Sequence, residues 1–174
     1  MLTIRALLLG TLVLASSDSL GAQAKLNDLE MAHVAVTADA IDIEYAKLVL
    51  RQSKNSAVRE FAETMIRDHT AVTAQVVALA RKLNVQAQDN AFSQQLVTNS
   101  VVIKEKLGRL RGVELDRFYA QNELGYHKAV NSAVADQFIP NIQNAEVKKA
   151  FVGALALFRG HELHAETMVA KLGK

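Results

Sequence analysis

Residues 58–70 read Val-Arg-Glu-Phe-Ala-Glu-Thr-Met-Ile-Arg-Asp-His-Thr. Apolar residues at Val58, Phe61, Ala62 and Met65 recur at intervals of three and four, the spacing of one face of an α-helix. His69 falls in the same stripe, four residues beyond Met65. A histidine there must find a partner or a ligand, because burying a polar group without one is costly. The pattern repeats at His127, after Leu115, Tyr119 and Glu123, and at His161, after Phe151, Leu155 and Phe158. On a first helix the stripe runs Val34, Ala38, Ile41, Glu44 or Tyr45, and Leu48. One polar residue per helix facing inward predicts a helical bundle.

Composition supports helices throughout. The chain holds one proline, eight glycines, no tryptophan and no cysteine, and it is rich in alanine, leucine, lysine and glutamine, all good helix formers. The spacing predicts helices from about Asn27 to Gln52 and from a serine-capped turn at residues 53–56 to about Leu83. A polar linker then covers residues 84–90. A shorter helix follows from Ala91 to about Leu110, then long helices over about 113–137 and 144–172, separated at Pro140-Asn141. This is an all-α chain, an up-down four-helix bundle with an additional short connecting helix.

The N-terminus reads as a targeting segment. Met1 to Arg5 is a short basic start, Ala6 to Ala15 is an apolar run, and Ala22-Gln23-Ala24 is a cleavage signature. Residues 1–24 are therefore expected to be a cleaved signal peptide and residues 25–174 one bundle domain. The apolar run is shorter than the roughly 20 residues needed to span a bilayer, so no transmembrane anchor is expected after cleavage. The expected location is outside the cytoplasm, in the periplasm of a Gram-negative bacterium. With no cysteine, neither lipidation at the cleavage site nor a disulfide is open to this chain.

Net charge is +2, too small for a nucleic-acid partner, which requires a concentrated basic face. Lys104, Lys106, Arg109 and Arg111 are diluted by Glu105 and Glu114 and read as a solvated helix face. The apolar residues Phe92, Leu96, Val101, Val102, Ile103 and Leu107 of the connecting helix would pack over the bundle or touch the cell envelope. No hydrolase signature is present: there is no G-x-S-x-G and no phosphate-cradling glycine loop. His161-Glu162-Leu163-His164 spaces its histidines by three, not the four of the zinc-protease motif.

Glu44 and Leu48, then Val58, Phe61, Ala62, Met65 and Asp68-His69-Thr70, form the first half of a broader pattern. Gly112, Asp116, Tyr119 and His127, then His161 and Ala165, form the second. On these residues the chain resembles a bacterial exported family called domain of unknown function 4142. The resemblance implies a ferritin-like bundle and carries no activity. Phe158-Arg159-Gly160 stands where that family usually has small residues and a proline.

Inward histidines and carboxylates raise a metal site. Glu44, His69, Glu123, His127, His161 and His164 are the candidate ligands, and a nitrogen-rich set of this kind suits iron, zinc or copper. Ferritin-like carboxylate sites pair each of two histidines with a glutamate three residues earlier. Here those places hold Ile66 and Phe158, which argues against an ordinary di-iron oxidase. Register argues the same way. About the turn at Ser53-Lys54, Glu44 lies about nine residues before and His69 about fifteen after, a mismatch of roughly 9 Å at 1.5 Å per residue. The first expectation is therefore a non-enzymatic bundle that binds a partner or small ligand, its histidines serving as satisfied core groups. The alternative is a storage or redox metalloprotein.

Overall fold

Asparagines begin four of the five α-helices found among the described residues, 25–173, of the computed structural model. The helices are α1 (Asp28–Leu50), α2 (Ser56–Lys82), α3 (Ala91–Arg109), α4 (Gly112–Ser132) and α5 (Ala145–Leu172). The side chains of Asn27, Asn55, Asn90 and Asn144 accept backbone N–H groups that the first turns of α1, α2, α3 and α5 leave unpaired. The cap of α2 is thus Asn55 rather than a serine. Ser53 turns inward, and its hydroxyl donates to Asp116 of α4. The expected signal peptide lies outside the described residues.

Helix α4 has no side-chain cap. Its first residue, Gly112, has φ +56°, a left-handed conformation that glycine adopts freely and that lets the chain reverse within the two-residue link after α3. Beyond Ser132 the winding widens into a π-helical segment, Ala133–Phe138, before Pro140 closes the element.

The end contacts fix the directions. Asn90, before α3, donates to the Glu30 carbonyl at the start of α1, and Lys104, late in α3, pairs with Glu44 late in α1. Helix α3 therefore runs parallel to α1. The backbone N–H of Asn144 donates to Asp28, and Arg117, early in α4, donates to the Leu172 carbonyl at the end of α5. Helices α1 and α5 run one way and α2 and α4 the other. The expected four-helix bundle with a connecting helix is present, and the connection carries the chain back along the bundle's length as a single crossover.

The stripes read for α2, α4 and α5 are buried as expected, from Val58 to Val72, from Leu115 to His127, and from Phe151 to Met168. Helix α1 differs. It packs against α2, α3 and α4, so burial extends around it to include Asp39, Asp42, Ala46 and Val49. Tyr45 is buried and Glu44 is exposed. On α3, Leu107 is buried and Phe92, Leu96 and Ile103 pack on the bundle, while Val101 and Val102 face outward. No helix among the described residues is long and apolar enough to cross a membrane.

The core has two apolar ends. One surrounds Val49, Phe61, Met65, Leu115, Tyr119 and Met168. The other surrounds Met31, Val34, Val134, Phe138, Phe151 and Leu155. A polar layer of Asp39, Asp42, His69, Glu123, His127, Asn131 and His161, all buried, lies along the bundle between them.

Candidate metal centre

Every helix of the four-helix bundle contributes to this layer. Asp39 and Asp42 are three residues apart and share the inward side of α1. Glu123 and His127, four apart, do the same on α4. Helix α2 brings His69, and α5 brings His161. The centroids of the three imidazole rings lie 5.3 to 5.7 Å apart.

Each histidine is anchored through one nitrogen. His69 Nδ1 is 2.7 Å from Asp39 Oδ1, whose other oxygen accepts from Thr73 at 2.9 Å. His127 Nδ1 lies 3.0 Å from the Glu123 carbonyl, one turn earlier. His161 Nε2 lies 3.0 Å from Asp68 Oδ2, and Asp68 is held in turn by Arg67 at 2.8 Å. An N–H donated to each of these acceptors fixes the tautomer of His127 and His161 and leaves their second ring nitrogens free, whereas His69 turns its second nitrogen toward Asp42 as well. Those second nitrogens, Nε2 of His69 and His127 and Nδ1 of His161, are buried and make no aligned hydrogen bond. Asp42 Oδ2 stands 2.8 Å from His69 Nε2 and 3.5 Å from His127 Nε2. Phe158 stacks on the His69 ring with centroids 4.8 Å apart.

Two overlapping sets can each offer three ligand atoms within 4.8 Å of one another. They are His69, His127 and His161, and Asp42, Glu123 and His127. Three imidazole nitrogens held by one ion at about 2.0–2.1 Å lie at most about 3.6 Å apart, so a set spread over as much as 4.8 Å closes onto an ion by shifts of up to about 0.7 Å per ligand atom. The donor set, nitrogen-rich with carboxylates, fits zinc, copper or iron.

Burial and charge set the protonation. Burial alone would drive His69 down, but Asp39 and Asp42 reverse this and hold its pKa up at about 10. Burial depresses His127 to about 4 and lowers His161 as well. Burial, reinforced by the neighbouring Asp42 charge, pushes Glu123 well above the usual carboxylate range. Burial opposes ionisation of Asp42, yet contact with His69 keeps its pKa below the ordinary value. At neutral pH the layer thus holds a protonated His69, an ionised Asp42 and two neutral imidazoles, with Glu123 holding its proton more tightly than an ordinary carboxyl does.

The structure gathers His69, Glu123, His127 and His161, and leaves two candidates apart. Glu44 is exposed and paired with Lys104 at 2.8 Å. His164 is half-buried, with its ring edge-on to Phe61 at 5.0 Å. Asp39 and Asp42 were missed in the sequence. The register of the first hairpin points to Asp39, which lies about as far before the turn as His69 lies after it. Ile66 and Phe158 leave α2 and α5 without paired glutamates, and the carboxylates come from α1 and α4 instead.

The sequence profile of a family described as Domain of unknown function (DUF4142) matches residues 15–168. No curated protein matches this chain. No solved structure matches it either.

Proposed function

The chain belongs to the DUF4142 family, and from that premise, which brings no activity with it, we propose that it is a metal-binding helical bundle. His69, His127, His161 and Asp42 would hold a transition-metal ion, with Glu123 beside it. One observation carries the reading. Three buried histidines on three helices are each tethered at one nitrogen by an oxygen acceptor, and His127 and His161 keep the other nitrogen without a hydrogen bond. Imidazoles that ligate metals are oriented in this way, whereas histidines that serve only packing have no need to leave a nitrogen unsatisfied.

Iron or copper bound there would supply redox chemistry, and zinc a fixed positive charge. The chain's own part is to exclude water, present two neutral imidazoles and release to solvent the proton that a cation displaces from His69. The single crossover between hairpins supports a ferritin-like assignment. The basic start, apolar run and Ala22-Gln23-Ala24 support export to the periplasm.

A second reading, a polar layer that sets helix register without metal, is favoured by His69, whose two nitrogens approach Asp39 and Asp42 at 2.7 and 2.8 Å. Elemental analysis of the mature chain, purified without chelator or affinity tag, separates the two. Near-stoichiometric iron, zinc or copper, lost in His127→Ala and His161→Ala variants that remain helical, is the expected result. If the wild-type protein stays metal-free after dialysis against each ion, the metal reading fails.

A further inference from the structure

Helix α5 carries two patterns. Phe151, Leu155, Phe158, His161, Ala165 and Met168 are buried in the bundle. On the side turned away from the core, Lys149, Val152, Ala156, Arg159, Leu163 and Glu166 are all exposed. They follow one another at alternating intervals of three and four, the spacing of a coiled-coil seam. Among the described residues Leu157 and Leu163 are the exposed leucines, with Leu163 at 65% and Val152 at 50%. Helix α5 packs against α2 and α4, whereas the crossover helix α3 lies along α1, so the fold leaves this seam uncovered. Gly153, Ala156 and Gly160 keep the face low, and no neighbouring element stands within 4 Å of where a Cβ on either glycine would be. A second helix can therefore approach to the ordinary packing distance of about 8–10 Å.

We propose that this face is the interface of a homodimer, in which α5 pairs antiparallel with α5 of a second copy. Charge fixes the direction and the register. The six seam residues run basic, apolar, small, basic, apolar, acidic. Laid against its own reverse, Lys149 meets Glu166 of the second copy, Val152 meets Leu163, and Ala156 meets Arg159. Each pair then occurs twice about a two-fold axis, the self-complementary contact of a symmetric dimer. A parallel pair would set Lys149, Arg159 and Glu166 each against its own counterpart, like charge against like, which is costly. Glu166 Oε1 holds Lys128 of its own chain at 3.1 Å, and its second oxygen remains for Lys149 of the other copy. Arg159 lays its stem over the opposing Ala156 and carries its charge to the rim, where it comes near its own symmetry mate and weakens the contact. The seam is one helix wide and about 26 Å long, at the small end of protein interfaces, so dimer and monomer exchange in the micromolar range. No seam residue belongs to the polar layer, and the pairing does not depend on a bound ion.

Sedimentation velocity over a concentration series, on the metal-free chain from Lys25 onward, reads the equilibrium. The wild-type protein is expected to dimerise, and Leu163→Glu to weaken the dimer about tenfold or more. Arg159→Ala, which removes the like charges beside the two-fold axis, is expected to strengthen it. Lys149→Glu and Glu166→Lys are each expected to weaken it about fivefold, and the two changes in one chain to restore it, because the reversed charges meet again in the antiparallel register. All these residues are exposed, and circular dichroism checks that each variant stays helical. The chain has no cysteine, so added thiols report the register independently. Val152→Cys and Leu163→Cys together should give a disulfide between copies under mild oxidation. Leu163→Cys alone should not, since the two copies of that position lie about 16 Å apart along the helices. The proposal is overturned if the wild-type protein stays monomeric at about 1 mM or if Leu163→Glu dimerises undiminished. It is overturned equally if the double charge reversal associates no better than either single change.

Discussion

Asp39 is the residue on which the polar layer turns. It accepts from both His69 and Thr73, so it fixes the imidazole plane while offering no free oxygen of its own. Asp39→Asn keeps the shape and removes the charge that steadies His69. The expected result is a folded bundle whose zinc affinity, read by competition with a chromophoric chelator, falls about 10–100-fold, the usual loss when an outer partner of a ligating histidine is changed. Glu44→Ala is the counterpart. It breaks an exposed pair with Lys104, so metal content stays unchanged and stability shifts by no more than about 0.5 kcal/mol in chemical denaturation.

The protonation of the same residues fixes a pH optimum for the metal-free protein. His69 titrates near 10 when folded and near 6.5 when unfolded, so its contribution is complete below about pH 6.5 and is lost as pH rises toward 10. Glu123, also raised, adds to the loss on the alkaline side of its ordinary range. His127, depressed to about 4, stays neutral in the fold while the unfolded chain takes up a proton. Its contribution is therefore lost as pH falls from about 6.5 toward 4, and His161 acts in the same sense. Denaturation midpoints at pH 5, 6.5 and 9 should be highest in the middle. His69→Ala should flatten the alkaline side, and a wild-type profile rising steadily from pH 5 to 9 would count against this assignment.

At the scale of the element, the caps and the buried faces decide how far a sequence can be read. Asn55 is the only side-chain cap of α2, and Asn55→Ala should cost about 1 kcal/mol, measurable as a shift in denaturation midpoint with metal content unchanged. Helices α2, α4 and α5 each bury one stripe, and a stripe at intervals of three and four is visible in the residues alone. That is why His69, Glu123, His127 and His161 could be placed inward from their spacing. Helix α1 is buried on most sides because α3 lies along it, with Ala40, Glu44 and Lys47 left exposed, and a helix covered so widely has no single narrow stripe to read. In Ala38-Asp39-Ala40-Ile41-Asp42-Ile43 the acids stand among small and apolar residues, and that is the only local sign of their burial. Glu44 fitted the one-sided pattern better and is in fact on the surface. The π-helical winding after Ser132 left no mark in the spacing, since Val134 and Phe138 keep an interval of four.

Across the whole molecule, the buried polar layer is the part of the fold that an ion would stabilise. An ion present at a hundred times its dissociation constant stabilises by about 2.7 kcal/mol, which for a domain of this length corresponds to a rise in Tm of about 5–10 °C. Scanning calorimetry with and without zinc reads this directly, and an unchanged Tm would speak for a layer that needs no ion.

The crossover helix gives the chain an order of assembly. Asp39 and His69 are 30 residues apart and Asp68 and His161 are 93 apart, so closing the second pair costs about 1 kcal/mol more in chain entropy. The first hairpin can come together while α4 and α5 are still unplaced, carrying two aspartates and one imidazole but none of the neutral ring nitrogens that complete the layer. A nascent chain is therefore an acidic half-site before it is a nitrogen-rich one. The ion it meets early need not be the ion it keeps.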